Sequence, residues 1–314
     1  MISRRLLRVK ALQILYAYKT TQPNDLINAE KELLFSIKKS YELYHLMLLL
    51  LVDLSDYARE RIEIARSKYF PTEEEANPNR RFIENRVVEQ IRRQKDLFSY
   101  VNNNKTGWVN QQELIKKLYS DLIQWDGYRQ YMNSEEDGFI RDRTFVIKMV
   151  AGFLLQQDNL SQVLEEMSIY WNDDLDFIGA MVIKTLERTK ESSPPKLLSM
   201  YKNEEDRHFV LDLFHQTVFH TQEYEDLIRE YTRNWDFDRL ALMDILIMEL
   251  AITEAVHFTN IPVKVTLNEY IEISKYYSTD KSNLFINGIL DKIFSRLRTE
   301  KKIVKTGRGL IGET

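Results

Sequence analysis

Helix-breaking residues are scarce in this chain, which has only 9 glycines and 6 prolines among 314 residues. A fold with many tight turns uses these residues at its turns, whereas helix interiors exclude them. Apolar residues also recur at helical spacing along much of the sequence. The two features together predict an all-α protein.

The periodicity predicts helices in three parts of the chain. The first runs over 3–19, where Leu7, Ala11 and Ile14 share a stripe. A middle group is predicted over 26–69, 80–101, 111–120, 144–157, 159–170 and 174–190, and it ends at a linker, 192–195 (SSPP). The last group is predicted over 204–220, 222–233, 239–257, 264–277 and 282–298, followed by a frayed basic tail at 299–314.

A weak internal repeat joins the second and third groups. The segment 142–146 (DRTFV) returns as 206–210 (DRHFV), and Trp171 and Asp174 return as Trp235 and Asp238. Duplication of a three-helix unit is one explanation. Chance similarity between helix pairs of equal length is the other.

Charge and composition exclude several classes of protein. Cysteine is absent, so disulfides and thiolate sites are excluded, and a reducing, cytoplasmic environment is compatible. The most apolar run, 46–52, is far shorter than the ~20 residues of a membrane helix. The net charge is −4, so any nucleic-acid site depends on local clusters of cations.

Two such clusters stand at the ends of the chain. Arg4, Arg5 and Arg8 precede the first acidic residue, which suits phosphate contacts but is also typical of a solvated helix end. In the last helix, Phe285 points away from the apolar stripe and shares a side with Gly288, Lys292 and Arg296. That pattern fits RNA stacking, although packing of Phe285 against another helix remains open.

The helix over 239–257 is apolar on nearly all sides, which predicts a central buried helix. Asp244 interrupts it, either to face a partner protein or to complement the helix dipole. Motifs for nucleotide loops, catalytic metal sites and serine nucleophiles are missing, so we expect no enzyme activity, no metal and no cofactor.

Several segments resemble the NusB family of transcription antitermination factors. They are an arginine-rich start followed by 11–16 (ALQILY), the helix at 238–254, 261–269 (IPVKVTLNE), and 285–291 (FINGILD) preceded by 278–280 (STD). The resemblance covers 1–19 and about 204–298. It implies paired helical bundles, with 20–203 as a helical insertion or an enlarged first bundle.

The resemblance also implies a function. Family members bind boxA-type RNA in nascent ribosomal transcripts together with the ribosomal protein NusE, in complex with RNA polymerase, and have no catalytic activity. It implies RNA contacts by Arg4, Arg5, Arg8, Gln13, Phe285, Asn287, Gly288 and Lys292. It further implies that Tyr16 and Asp244 face NusE.

Two alternatives remain. The first is a helical scaffold for protein interactions, in which 20–203 binds a partner and RNA binding is weak or lost. The second is an RNA methyltransferase, since NusB-like domains also occur fused to such enzymes. That second case needs a glycine-rich cofactor loop, which 20–203 lacks.

Overall fold

The computed structural model describes residues 1–21, 25–232 and 240–311, and in these ranges it contains helices and turns but no β-strand. The predicted all-α class is confirmed. The α-helices of these ranges are α1 (Arg4–Thr20), α2 (Leu26–Arg66), α3 (Glu73–Ala76), α4 (Arg86–Arg92), α5 (Lys95–Asn104), α6 (Gln112–Leu122), α7 (Asp126–Met132), α8 (Phe139–Gly152), α9 (Asp158–Met167), α10 (Leu175–Glu187), α11 (Glu204–Phe219), α12 (Thr221–Tyr231), α13 (Leu242–His257), α14 (Val263–Tyr277) and α15 (Ser282–Thr299).

The chain divides into two compact units. The first comprises Met1–Ile2 and Ser36–Met200, and the second comprises Ser3–Phe35 and Tyr201–Thr314. Helix α2 therefore contributes to both units. The functional division expected from the sequence, in which 20–203 interrupts a domain formed by 1–19 and 204–298, stays a prediction.

The core of the first unit surrounds helix α2. Its apolar run from Leu46 to Val52 is buried along its whole length, as predicted for a helix inside a protein. Two indole N–H groups donate to α2 carbonyls, from Trp108 to Leu46 at 2.9 Å and from Trp171 to Lys39 at 2.7 Å. These bonds satisfy the polar ends of two large apolar side chains as they are buried.

Helix α8 organises the rest of the first unit, where it packs against α4, α7 and α10. The stretch predicted as one helix over 80–101 is divided into α4 and α5. The Asn85 side chain accepts the amide N–H groups of Val87 and Val88, and Gln94 accepts that of Asp96. Each of these caps starts a new helix, which explains the division.

The two segments of the internal repeat occupy equivalent positions in their helices. Asp142 and Asp206 lie in the first turns of α8 and α11, and both are buried. Phe145 and Phe209, three residues later, are buried as well. Trp235 and Asp238 lie outside the described residues, and the duplication stays a hypothesis.

The second unit is built around α13, which contacts α1, α11, α12, α14 and α15. Every residue from Asp244 to Ala255 is buried. The predicted central helix is thus confirmed for its described part. Because α13 is enclosed by five helices, its few polar side chains must find partners inside the protein.

Side-chain caps begin two of the surrounding helices. Ser3 accepts the N–H of Leu6 at 3.1 Å to cap α1. Asn203 accepts the N–H of Asp206 at 3.2 Å to cap α11, whose first turn also carries Glu204 and Glu205. Acidic side chains at that end are favoured by the helix dipole.

The frayed tail predicted at 299–314 is wrong for the described part, which ends at 311. Ile303 and Lys305 are both 7% exposed. The Lys305 ammonium donates to the carbonyls of Ala255 and Phe258 at 2.8 and 2.9 Å. Carbonyls at a helix end lack partners within the helix, so this cation satisfies the end of α13 and fixes the tail there.

Candidate nucleic-acid interface

Arg4 and Arg5 lie in the first turn of α1 and remain partly exposed. Arg4 donates to Asp206 and Glu205, each at 2.8 Å. Arg5 makes a two-pronged contact with Glu269, with both distances 2.8 Å. Their side chains are 31% and 42% exposed. Carboxylates therefore neutralise part of the basic start, and only part of each guanidinium is open to a ligand.

Pairing with the arginines of α1 lowers the pKa of Glu269. Its partial burial opposes ionisation, but the hydrogen bond from Arg5 and the charges of Arg8 and Arg5 outweigh it. The pKa of Glu269 consequently lies below its ordinary value. The residue is thus a carboxylate at neutral pH and keeps Arg5 against α14.

Arg8 differs from its two neighbours because it is buried. Its guanidinium donates to both oxygens of Glu254, at 2.7 and 2.8 Å. Thr266 and Tyr270 donate to the same carboxylate, at 2.8 and 3.3 Å. Although burial alone would lower the pKa of Arg8, Glu254 raises it above its ordinary value.

The predicted RNA contact by Arg8 does not fit this geometry. Only 4% of its side chain is exposed, and none of the Glu254 side chain is. Lys10, a further cation of the same helix, is 1% exposed. The apolar stripe of α1 turns both residues into the protein, so of these early cations only Arg4 and Arg5 face solvent.

We predict that Arg8→Leu destabilises the second unit by about 3–5 kcal/mol, because it leaves the Glu254 charge buried without its partner. Hydrogen exchange of the α13 amides measures the loss. Arg5→Leu is the matched control and should cost about 1 kcal/mol, since its pair with Glu269 is partly exposed. Equal losses for the two variants would contradict the assignment of Arg8 as the buried anchor.

Helix α15 presents the second predicted group of residues. Ile286, Ile289, Leu290, Ile293 and Leu297 are buried, as its periodicity predicts. Phe285 and Asn287 are half-buried, while Gly288 and Lys292 are exposed. A Cβ atom built at Gly288 would meet nothing within 4 Å, so this stretch of backbone is open to an incoming group.

Helix α14 connects α1 with the start of α15. Arg5 contacts Glu269 near the middle of α14, and Gln13 donates to the Tyr277 hydroxyl at 3.3 Å at its end. The next helix begins at Ser282. The predicted residues Arg5 and Gln13 of α1 therefore both contact α14, the helix that precedes α15 and Phe285.

The predicted partner contact by Asp244 does not fit its position. The residue is buried, one carboxylate oxygen accepts from the Ser278 hydroxyl, and the other accepts from Ser282 at 2.9 Å. Asp244 thus holds the turn that begins α15 and positions Phe285 indirectly. Tyr16, the other residue expected to face a partner, is 43% exposed.

Sequence reasoning missed the acidic partners of the arginines. Glu254 and Glu269 lie more than two hundred residues beyond Arg8 and Arg5, at sequence separations of 246 and 264. Helical spacing reports which face of a helix is buried, but it does not report which residues meet across such separations. The signal available in the sequence was a glutamate, Glu254, near the end of a helix that is apolar on nearly all sides.

A second buried carboxyl on α13 belongs to Glu249. Both of its oxygens are buried and have no hydrogen-bond partner among the residues that the structure describes. The Lys19 ammonium lies 3.6 Å from one of them. Burial raises the pKa of Glu249 to about 8, with Glu225 adding to the rise and Lys19 opposing it.

We predict that Glu249 makes the second unit less stable as the pH rises. Its ordinary pKa is 4.5, so between pH 4.5 and 8 the folded protein keeps a proton that the unfolded chain releases. Stability should fall across that window, by at most about 1.4 kcal/mol per pH unit. Urea unfolding at several pH values measures this slope.

The stability of the variant Glu249→Gln should depend less on pH across the same window, because the amide carries no titrating proton. Glu272→Gln is the control, since Glu272 forms an exposed pair with Lys275. A wild-type slope that survives in Glu249→Gln would show that another group titrates there.

Within the described ranges, no cluster of three or more histidine or acidic side chains has a metal-binding arrangement. No helix of those same ranges combines the length and the apolar character that a membrane crossing requires. Helices α1, α14 and α15 present surface cations, half-buried aromatic rings that include Phe285, and an open stretch of backbone at Gly288.

Comparison with known proteins follows this geometry. The NusB family model matches residues 174–295. The match begins at 174 rather than at 204 and so takes in α10, while the insertion expected over 20–203 stays a prediction. The matched segment includes Phe285, Asn287, Gly288 and Lys292, and it does not include α1.

Three curated relatives carry the name transcription antitermination protein NusB. The protein from Salinibacter ruber is 32% identical over 157 residues, which is 50% of this chain and 91% of the relative. The one from Chloroherpeton thalassium is 37% identical over 33% of this chain and 49% of its own length. The one from Natranaerobius thermophilus is 34% identical over 40% of this chain and 84% of its own length. No solved structure matches the chain.

Proposed function

This chain belongs to the NusB family, and from that premise we propose that it is an antitermination factor that binds boxA-type RNA in nascent ribosomal transcripts. The relatives are named for transcription antitermination. Binding, and not a reaction, is the proposed activity. NusE and RNA polymerase are its proposed partners.

The observation that carries the proposal is the surface of α15. A half-buried ring at Phe285 is held by its helix while part of it remains accessible, and Gly288 and Lys292 beside it are exposed. Single-stranded RNA is recognised by stacking of an unpaired base on an aromatic ring. Lys292 would neutralise a neighbouring phosphate, and Asn287 would donate to or accept from a base edge or the backbone.

Helix α1 supplies the second part of the proposed face. Arg4 and Arg5 would hold phosphates through the N–H groups that their carboxylate partners leave exposed, and Gln13 would add a polar contact. The acidic partners keep both guanidinium groups in fixed positions, so less side-chain freedom is lost when RNA binds. Tyr16, exposed on the same helix, is the proposed contact with NusE.

A protein-interaction scaffold is the second candidate, and one observation favours it. Tyr69 and Phe70 follow α2 in the first unit and are 90% and 85% exposed. Large aromatic side chains at such exposure are frequent anchors of protein interfaces. In this case the first unit would bind a partner protein, and α15 would contribute little.

We predict that Phe285→Ala weakens binding of a short single-stranded boxA-type RNA by about 1–3 kcal/mol, which is the usual cost of a lost stacking platform. Fluorescence anisotropy measures the affinity. Leu284→Ala is the matched control, because Leu284 is the adjacent residue and is 75% exposed. Equal affinity of wild type and Phe285→Ala would exclude the ring from the RNA site.

We predict that Arg5→Ala weakens binding to all RNA sequences alike and reduces the slope of log affinity against log salt by about 0.7, the effect of one lost phosphate contact. Arg66→Ala removes an exposed arginine that also has a glutamate partner, Glu63, and should leave the slope unchanged. A loss confined to one RNA sequence would instead assign Arg5 to base recognition.

A further inference from the structure

An open groove lies between α14 and α15 at the end of the helix pair far from Phe285. Its volume is about 680 Å³. Lys264 and Leu267 line it from the start of α14, and Lys292, Arg296 and Arg298 line it from the second half of α15. Lys292 and Arg296 are the two of these residues that helical spacing places on the side of Phe285.

The charge of the groove is mostly positive. Asp291 is the acidic side chain among its lining residues. Lys264 and Lys292 are exposed and have no ion-pair partner among the described residues. Arg296 is bound to Glu230 and Glu300, each at 2.6 Å, so it contributes less net charge than the two lysines.

The charge of the groove, rather than a lack of apolar lining, favours a chain of phosphates. Phe294 and Val263 are 2% and 4% exposed, whereas Tyr231 of α12 and Leu267, which also line the groove, are half-buried. Cations from both helices line this open site, Lys264 from α14 and Lys292 and Arg298 from α15. Such an arrangement suits a charged backbone that passes through and remains solvated.

The groove continues the proposed RNA face. Lys292 follows Phe285 by seven residues, which places it about 10 Å farther along α15 on the same side of the helix. A strand with one base on Phe285 would reach the groove within a few nucleotides. Lys264 then faces the strand from α14.

We propose that this α14–α15 groove binds the phosphodiester backbone of the RNA beyond the nucleotide that stacks on Phe285, with Lys264 and Arg298 as phosphate contacts in addition to Lys292. The inference rests on the proposed function, because it extends the same RNA face. It assigns a second, sequence-independent part of the site to α14.

The test compares a short boxA-type RNA with one that is extended at either end. We expect Lys264→Gln/Arg298→Gln to bind the short RNA like wild type. For one of the two extended RNAs, the slope of log affinity against log salt should be smaller for the double variant than for wild type by about 1.4. This difference corresponds to two lost phosphate contacts. Lys264→Arg should restore the contribution of Lys264, and Lys148→Gln, an exposed lysine of α8, is the control for net charge.

The outcomes separate this inference from the proposed function. If the double variant binds the extended RNAs like wild type while Phe285→Ala weakens all of them, the groove is excluded and the Phe285 face stands. If Phe285→Ala also has no effect, both are overturned. If inorganic phosphate at constant ionic strength displaces the extension of the RNA without affecting the short RNA, the groove is a general anion site, and its assignment to RNA backbone is overturned.

Discussion

The buried ion pair between Arg8 and Glu254 holds the second unit together across 246 residues of sequence. Two charges inside a protein are stable only when each satisfies the other, and removal of one leaves the second at a high cost. Thr266 and Tyr270 complete the hydrogen bonds of the Glu254 carboxylate. The pair therefore fixes α1 against α13 and α14 at one register.

That register determines which cations face solvent. With Arg8 turned inward, Arg5 lies over Glu269 and Arg4 over Asp206. The arginines at the start of the chain therefore pair with carboxylates of the protein itself, and only part of their charge is available to a ligand. The exposed lysines of α14 and α15 add positive charge to the surface of the second unit.

The periodicity of the sequence predicted the helices that bury an apolar stripe, including the central α13 and the inward face of α15. It also placed Phe285 outside that stripe, where the ring is half-buried. These successes share a cause, since a helix reports its buried face through spacing alone. The resemblance to NusB motifs rested on segments of the same helices.

Contacts between distant residues could not be predicted in this way. The resemblance implied an RNA contact by Arg8, whereas the structure pairs Arg8 with Glu254, 246 residues away. The tail looked frayed because its composition is basic, yet Lys305 satisfies the end of α13. The resemblance implied that Asp244 faces a partner, whereas its carboxylate accepts hydrogen bonds from two serines, Ser278 and Ser282.

Photo-crosslinking of a boxA-type RNA that carries a photoreactive uridine, followed by mass spectrometry of the peptides, tests the central claim most directly. The account predicts adducts on the peptides that contain Phe285 and Lys292 and on the one that contains Arg4 and Arg5. Adducts confined to 36–200 would contradict it, because they would move RNA recognition to the first unit and leave the Arg8–Glu254 assembly without a role in binding.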